Sequence, residues 1–486
     1  MSELRQGKKI TSGLIWTFGE RITAQLVSTL VTILLARILD PDHYGIISIV
    51  TIFISFCNIF VASGFCSAIV RKPSVSEVDY NTAFFVSLLT AIILYIILFF
   101  LSPAISQFYN MPELIAVTRV MALRLPMAAL NSIQQAHIQR EMAFKRFFVA
   151  TLFGTVISGV VGIAMARSGY GVWALVAQYL TNTTVDSIVL WFVGGWTPRW
   201  QFSSESVKEI FSFGWKVLAS EVVATSQNDI RGLVIGKCFG ATDLAFFDQG
   251  KKYPSILVTN VNTAINKVML PAYARIQDDS EQLKSLLRRS IQIGLFIIMP
   301  IMIGFMAVSD TFVSVVLTDK WLKCVPFLQV FCLCYLTRPL EASCQQAILA
   351  IGRSDIILKV MLMINIPSII FLIITAIILN DLQILAYSLI ISMMISFGCY
   401  MFYSNKLIGY SFKEQFHDLL SPTIASFLMW ITVFFIGKLS LSKPTLLIIQ
   451  VISGVLVYLC MAKVLKIPAM NIVVKQIRAK KNNNQN

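Results

Sequence analysis

Two stretches of an otherwise apolar chain carry groups that can hold an anion. Residues 123–140 read LRLPMAALNSIQQAHIQR, and residues 336–353 read LTRPLEASCQQAILAIGR. Each has an arginine beside a proline, a Gln-Gln-Ala triplet and a closing arginine. A guanidinium offers a planar fork of donors that matches the oxygens of an anion in pairs, and Asn and Gln can each donate and accept hydrogen bonds. Helical spacing puts such groups on shared faces. Arg124, Ala128, Asn131 and Gln135 follow i, i+4, i+7, i+11, and Glu221, Ala224, Asn228 and Arg231 follow a similar pattern. Arg338, Glu341 and Gln345 follow i, i+3, i+7, and Arg21 and Gln25 pair at i, i+4. The other sides of these helices are apolar, so the polar sides are expected to line a water-filled, cationic path.

The elements that position them are membrane spans. Of 486 residues, 56% are hydrophobic and 13% charged, with mean hydropathy +0.74. A soluble domain carries about 25% charged residues, and apolar runs here recur near the roughly 20 residues a bilayer span needs. The pattern predicts an all-α polytopic membrane protein of about 14 transmembrane helices. The segments are 11–36, 44–69, 81–106, 112–138, 146–166, 171–194, 211–237, 243–272, 290–309, 325–351, 356–379, 383–404, 415–437 and 444–465. MSELRQGKK reads as a basic polar tail with no cleavable leader after it, and KQIRAKKNNNQN as a basic tail at the other end.

Basic residues orient the spans. With the N-terminus inside, about 23 Lys and Arg fall in cytoplasmic segments and about seven in outer loops, which is the positive-inside pattern. Both termini are expected in the cytoplasm. The net charge of +15 then reads as a cytoplasmic face against anionic lipid, not as a nucleic-acid surface. Ten basic residues remain within spans: Arg21, Arg119, Arg124, Lys216, Arg231, Lys251, Lys252, Lys267, Arg338 and Lys359. The acidic residues there are Glu20, Asp186, Glu221, Asp229, Asp248 and Glu341. A charge on a lipid-facing helix costs roughly 2.5–3.5 kcal/mol at mid-bilayer, so this set must face protein or water. Bland roles stand beside the functional ones. Lys359 can snorkel to the interface, Lys251 and Lys252 with Asp248 can mark a span entrance, and Glu20–Arg21 or Asp229–Arg231 can be structural ion pairs. Arg124 and Arg338 have the strongest claim, because Pro126 and Pro339 break the backbone ladder beside them.

The chain repeats. The two opening stretches lie 213 residues apart, and LLARILDPDHYG at 34–45 is echoed 200 residues on by VIGKCFGATDLA at 234–245. Six spans precede residue 200 and six more follow in the same orientation. This predicts two six-helix lobes, 1–200 and 201–410, related as parallel repeats around a central cationic cavity. A helix pair at 411–470 and a basic tail at 471–486 complete the chain. The loop at 194–210 joins the lobes, with its tryptophans expected at the interface.

Other chemistry is not legible. GKK at 250–252 lacks the rest of a nucleotide-binding loop. His43, His137 and His417 have no metal-ligand spacing, and the nine cysteines read as small buried hydrophobes. His137 is read as a helix-end histidine or a proton sensor. No nucleophile–base set appears and the loops are short, so an enzyme is not expected, and neither is a cofactor.

The chain resembles the polysaccharide flippases of the multidrug/oligosaccharidyl-lipid/polysaccharide (MOP) exporter superfamily, nearest the Wzx-type and teichuronic or colanic acid exporter branch. The resemblance rests on SGLIWTFGERITAQLVSTLVTILLARILDPDHYGIISIV at 12–50, GKCFGATDLAFFDQGKKYPSILVTNVNTAINKVMLPAYARIQDD at 236–279, and TDKWLKCVPFLQVFCLCYLTRPLEASCQQAILAIGRSD at 318–355. It implies flipping of polyprenyl-pyrophosphate-linked oligosaccharide units by alternating access in a bacterial cytoplasmic membrane, alongside polysaccharide polymerase and export proteins. It implies head-group contacts from Arg21, Arg124 and Arg338, and from Lys216, Arg231 and Lys267. Glu20, Glu221, Asp229 and Glu341 become candidates for coupling to a proton or sodium gradient. Two alternatives stay open, a flippase of a peptidoglycan-type lipid precursor and an ion-coupled drug antiporter.

Overall fold

A computed structural model describes residues 23–72, 74–141 and 143–470, though not every side chain within the helices, those of Lys216, Asn228 and Lys267 being among the ones left out. Glu20 and Arg21 lie outside the described residues. Among the described residues every regular element is a helix, as the bilayer demands, since each backbone donor and acceptor must be satisfied within its own segment. Large apolar side chains point outward, with Phe192 86% and Ile378 72% exposed. Such a surface suits lipid and not water.

The N-terminal unit spans Met1–Ala245. It contains α1 (Thr23–Ile38) and α2 (Pro41–Asn58), which continues through a π-turn at Ile59–Ser63 into α3 (Gly64–Arg71). Then come α4 (Glu77–Tyr109), α5 (Glu113–Met121), α6 (Arg124–Arg140), α7 (Phe144–Arg167), α8 (Val172–Gly194), α9 (Ser204–Cys238) and the first turn of α10 (Ala241–Ala274). The second unit, Phe246–Asn486, holds the rest of α10 and α11 (Ser280–Ala307), α12 (Ser309–Phe312), α13 (Val325–Tyr335) and α14 (Arg338–Ala350). It ends with α15 (Ser354–Ile373), extended by a π-turn at Ile374–Leu379, then α16 (Leu382–Ile408), α17 (Phe412–Ile436) and α18 (Lys443–Val464). Among the described residues eight helical segments are individually long and apolar enough to cross a membrane. The fourth and tenth segments read from the sequence are each two helices in series.

Contacts divide the chain at 245/246, whereas the repeat in the sequence divides it near 200. The difference is α9, which packs on α2, α3 and α4. Repeat ancestry and packing need not share a border, because a helix is held by whichever face buries its apolar side. Lys72 clamps this arrangement from outside the spans, bonding Glu209 at 2.7 Å and Asp79 at 2.9 Å. The Glu209 carboxylate, with Asp79, raises the Lys72 ammonium above its ordinary value.

Two close approaches need glycine. A Cβ on Gly45 of α2 would stand 1.9 Å from the Ala241 carbonyl oxygen, and one on Gly250 would stand 2.7 Å from Phe327 Cβ and 2.8 Å from the Leu328 nitrogen. Beside Gly45, Thr242 Oγ1 donates to Asp42 Oδ1 at 2.7 Å. These two residues are 200 apart, the period of the sequence echo.

One expectation fails. Trp196 is not free to anchor in lipid. It is 4% exposed, donates to Glu77 at 3.3 Å and packs with Tyr80 and Phe84, because the linker folds back over α4 and buries its first indole. Trp200 is exposed and stacks on Phe85 at 4.9 Å.

Candidate functional site

The site elements begin where helices tighten. Pro126 has no N–H to give Ala122, and its ring crowds that carbonyl. The chain stays right-handed but shortens its ladder, with Leu123 N–H on Val120 O at 3.2 Å and Leu125 N–H on Ala122 O at 2.9 Å. Arg124 therefore becomes the first residue of α6. Its Nε donates to Thr183 Oγ1 at 3.2 Å, and its guanidinium lies 4.9 Å from the centre of the Tyr179 ring. Both partners are on α8, one turn apart. Among the described residues Arg124 makes no ion pair, which leaves the terminal nitrogens of its fork without a carboxylate.

The second arginine repeats the design. α13 ends at Tyr335, Leu336 N–H bonds Leu333 O at 3.2 Å, and Arg338 opens α14 with Pro339 next. The Arg338 side chain is 51% exposed and stands 3.7 Å from Glu341 Oε2. Glu341 is buried and accepts from Thr337 Oγ1 at 2.7 Å. The carboxylate is held one turn behind the guanidinium, and most of the fork faces outward. In front of it lies a cavity of about 300 Å³ lined by Ser255, Thr259, Asn262, Thr263 and Asn266 of α10, with Val258 and Tyr335.

The other expected residues scatter. In the N-terminal unit Arg231 is 9% exposed and Asn131 is buried, its Oδ1 without a partner among the described residues. Asp229 accepts from Ser55 at 3.3 Å, Glu221 is exposed, and Gln25 lies 3.5 Å from Thr29 of its own helix. The Gln pair on α6 splits. Gln134 bonds the Trp196 carbonyl at 2.6 Å, while Gln135 remains half-buried. Gln345 is half-buried in the second unit, with Arg338 and Glu341. His137 pairs with Glu141 at 3.2 Å. Arg119, counted among the intramembrane charges, is structural. Pro103 cannot donate to Phe99, and Arg119 Nε and Ser102 Oγ supply that carbonyl at 3.3 and 2.8 Å.

One intramembrane acid was given no role in the sequence reading, and one polar stripe escaped it. Asp186 on α8 is half-buried, stands with Asn182 against Gly154, and its Oδ1 has no hydrogen-bond partner among the described residues. On α10, Ser255, Thr259, Asn262 and Asn266 follow i, i+4, i+7, i+11. That spacing was available as a signal, but attention to charges passed over a stripe of uncharged groups.

Comparison with known proteins places this geometry. The family described as polysaccharide biosynthesis protein matches residues 34–326, more than half of the chain. The teichuronic acid biosynthesis protein TuaB of Bacillus subtilis is 25% identical over 72% of this chain and 73% of its own length. The lipopolysaccharide biosynthesis protein WzxC of Escherichia coli is 23% identical over 72% of each. Among solved structures, the lipid II flippase MurJ in an inward closed conformation superposes with a TM-score of 0.77 at 14% identity, covering 93% of this chain and 98% of that one. An inward-facing multidrug transporter of the MOP superfamily gives 0.61 at 16% identity, over 78% and 95%. At these identities the structural likeness establishes the fold, a MOP-type multi-pass membrane transporter fold. The chain belongs to the polysaccharide biosynthesis protein family.

Proposed function

We propose that this protein moves polyprenyl-pyrophosphate-linked oligosaccharide units from the cytoplasmic to the outer leaflet of a bacterial inner membrane, with both termini cytoplasmic. The observation that carries the reading is the pair Arg124 and Arg338. Each opens a helix beside a proline within an apolar segment, and each has part of its fork uncommitted. A pyrophosphate is the anion such forks match. The names of the relatives support a glycan cargo, since they include a succinoglycan biosynthesis transport protein, ExoT of Rhizobium meliloti, 22% identical over 68% of this chain.

The lipid chain has a place to lie. A groove of about 420 Å³ runs along α11, α17 and α18, walled by residues such as Pro300, Ile301, Met429, Gly454 and Val455. Its two polar side chains are turned into backbone, Tyr458 OH onto Phe296 O at 2.8 Å and Gln450 Nε2 onto Val433 O at 3.4 Å. The surface left is apolar, suited to a polyprenyl tail while the head group occupies the polar side.

Translocation by alternating access then needs an energy source, and the intramembrane carboxylates are where a proton or sodium gradient would act. Glu341 is the leading group in the second unit. A phosphate that engages Arg338 competes with it, and a proton or cation on Glu341 would relieve the charge so exposed. Polysaccharide polymerase and export proteins would act on the product.

The test is transfer of a radiolabelled polyprenyl-pyrophosphate oligosaccharide in proteoliposomes, with and without a proton or sodium gradient. Protein-dependent appearance of glycan on the far side is the expected result, and gradient dependence would implicate the carboxylates. Failure to move several such donors, with transport of an organic cation instead, would overturn the reading.

A further inference from the structure

We propose that the polar cavity of the second unit is a sugar subsite, taking the single uncharged, hydroxyl-rich ring joined to the phosphate that Arg338 holds. The inference rests on the reading of the substrate as a lipid-linked glycan and adds which part of it this cavity recognises.

The lining has the chemistry of carbohydrate recognition. One face of α10 presents Ser255, Thr259, Asn262, Thr263 and Asn266, and none of the cavity residues carries a carboxylate. Asn262 Oδ1 and Asn266 Oδ1 are buried, and neither has a hydrogen-bond partner among the described residues. Buried polar atoms in native proteins are almost always satisfied, so two orphaned acceptors one turn apart point to donors that arrive with a ligand. Sugar hydroxyls are such donors, and the amide Nδ2 atoms can return bonds to hydroxyl oxygens. Thr263 Oγ1 donates to Thr259 O at 2.7 Å, which leaves its lone pairs to accept from a ligand.

The remaining walls set orientation. Tyr335 offers an aromatic face, on which the C–H side of a sugar ring can pack. Arg338 stands 5.9 Å from that ring and closes the cavity with the one positive charge among its described lining residues. A ring that fills the α10 face thus has its phosphate-bearing carbon directed to the guanidinium. The volume, about 300 Å³, is at the small end of the about 300–1,000 Å³ of ligand clefts. It admits one ring and not an oligosaccharide. A metal cation is a poor occupant here, since hard cations favour carboxylate ligands and Arg338 would repel it.

The experiment uses the full-length protein in proteoliposomes and two probes, polyprenyl pyrophosphate alone and polyprenyl pyrophosphate carrying one hexose. Asn262→Ala and Asn266→Ala should each raise the half-saturating concentration of the hexose donor by up to about tenfold, the worth of a lost hydrogen bond to an uncharged group. Thr259→Val, close to isosteric, should raise it by a smaller factor. None of the three should alter binding of the sugar-free lipid, which also reports that the variants fold, whereas Arg338→Ala should weaken both probes. The inference is overturned if the Asn variants and Thr259→Val leave hexose-donor binding unchanged or weaken both probes alike. It is also overturned if they abolish only a sodium dependence of transport. Failure of the wild-type protein to bind either probe would instead remove the substrate reading itself.

Discussion

Gly45 offers a direct test of the proposed alternating access. Gly45 passes Ala241, the first residue of α10, within the N-terminal unit, and on the proposed orientation both lie at the outer face. A methyl at Gly45 would be 1.9 Å from the Ala241 carbonyl oxygen and 2.2 Å from its carbon. Carbon and oxygen settle no closer than about 3.3 Å, so the two backbones must part by about 1.4 Å. The obstacle is backbone, which cannot rotate away, and the Asp42–Thr242 bond at 2.7 Å would be lost with the separation. Overpacking of this kind costs about 1–3 kcal/mol, which would shift the balance between closed and open outer ends by about 5- to 150-fold. The assay is labelling of a cysteine at Thr242 from outside with a membrane-impermeant maleimide, in a protein whose native cysteines, Cys238 among them, are replaced. Gly45→Ala should speed labelling and slow lipid transfer. Labelling and transfer both at the parent rate would refute the idea that this contact closes the outer side.

Four further outcomes are expected. Arg124→Ala and Arg338→Ala should each impair glycan export at unchanged membrane abundance, with Lys at either position rescuing only in part because a point charge lacks the guanidinium fork. Export at wild-type level in both alanine variants would sink the assignment of these arginines. Asp418→Ala should cost about 1–3 kcal/mol, since buried Asp418 receives Arg288 at 2.6 Å, Gln292 at 2.9 Å and Tyr410 at 2.8 Å, while the partly exposed Arg288 keeps water and Glu414 within reach. Thermal unfolding in detergent measures it, and an unchanged midpoint would show that α17 does not depend on this cluster. Hydrogen bonds from Lys443 and Ser314 hold the Asp319 carboxyl below its ordinary value of 3.8. Because the folded value is the lower one, the contribution is complete above the unfolded value and lost as pH falls through the folded one. Asp319→Asn should therefore lower the unfolding midpoint at pH 7 and make no difference once Asp319 is protonated in strong acid; a deficit that persists there would argue against the ion pair.

Much of this protein was open to reading from composition and period alone. A chain in lipid must satisfy its backbone segment by segment, so apolar runs of the right length can only become helices, and the positions of Pro126 and Pro339 mark where those helices tighten. The arginines at those points were legible because charge is expensive in a bilayer and demands a reason. Neutral polar groups demand less, and so the α10 stripe of Ser255, Thr259, Asn262 and Asn266 passed unnoticed until the fold set Tyr335 and Arg338 across from it. Only the tertiary structure could separate Gln134, consumed by the Trp196 carbonyl, from Gln135 beside it, or Arg119, bound to the carbonyl that Pro103 leaves unpaired, from Arg124. The reason is physical. Sequence determines which residues a helix presents and how often, but whether a polar atom is already satisfied depends on what a distant helix brings within 3 Å, and that is decided by packing.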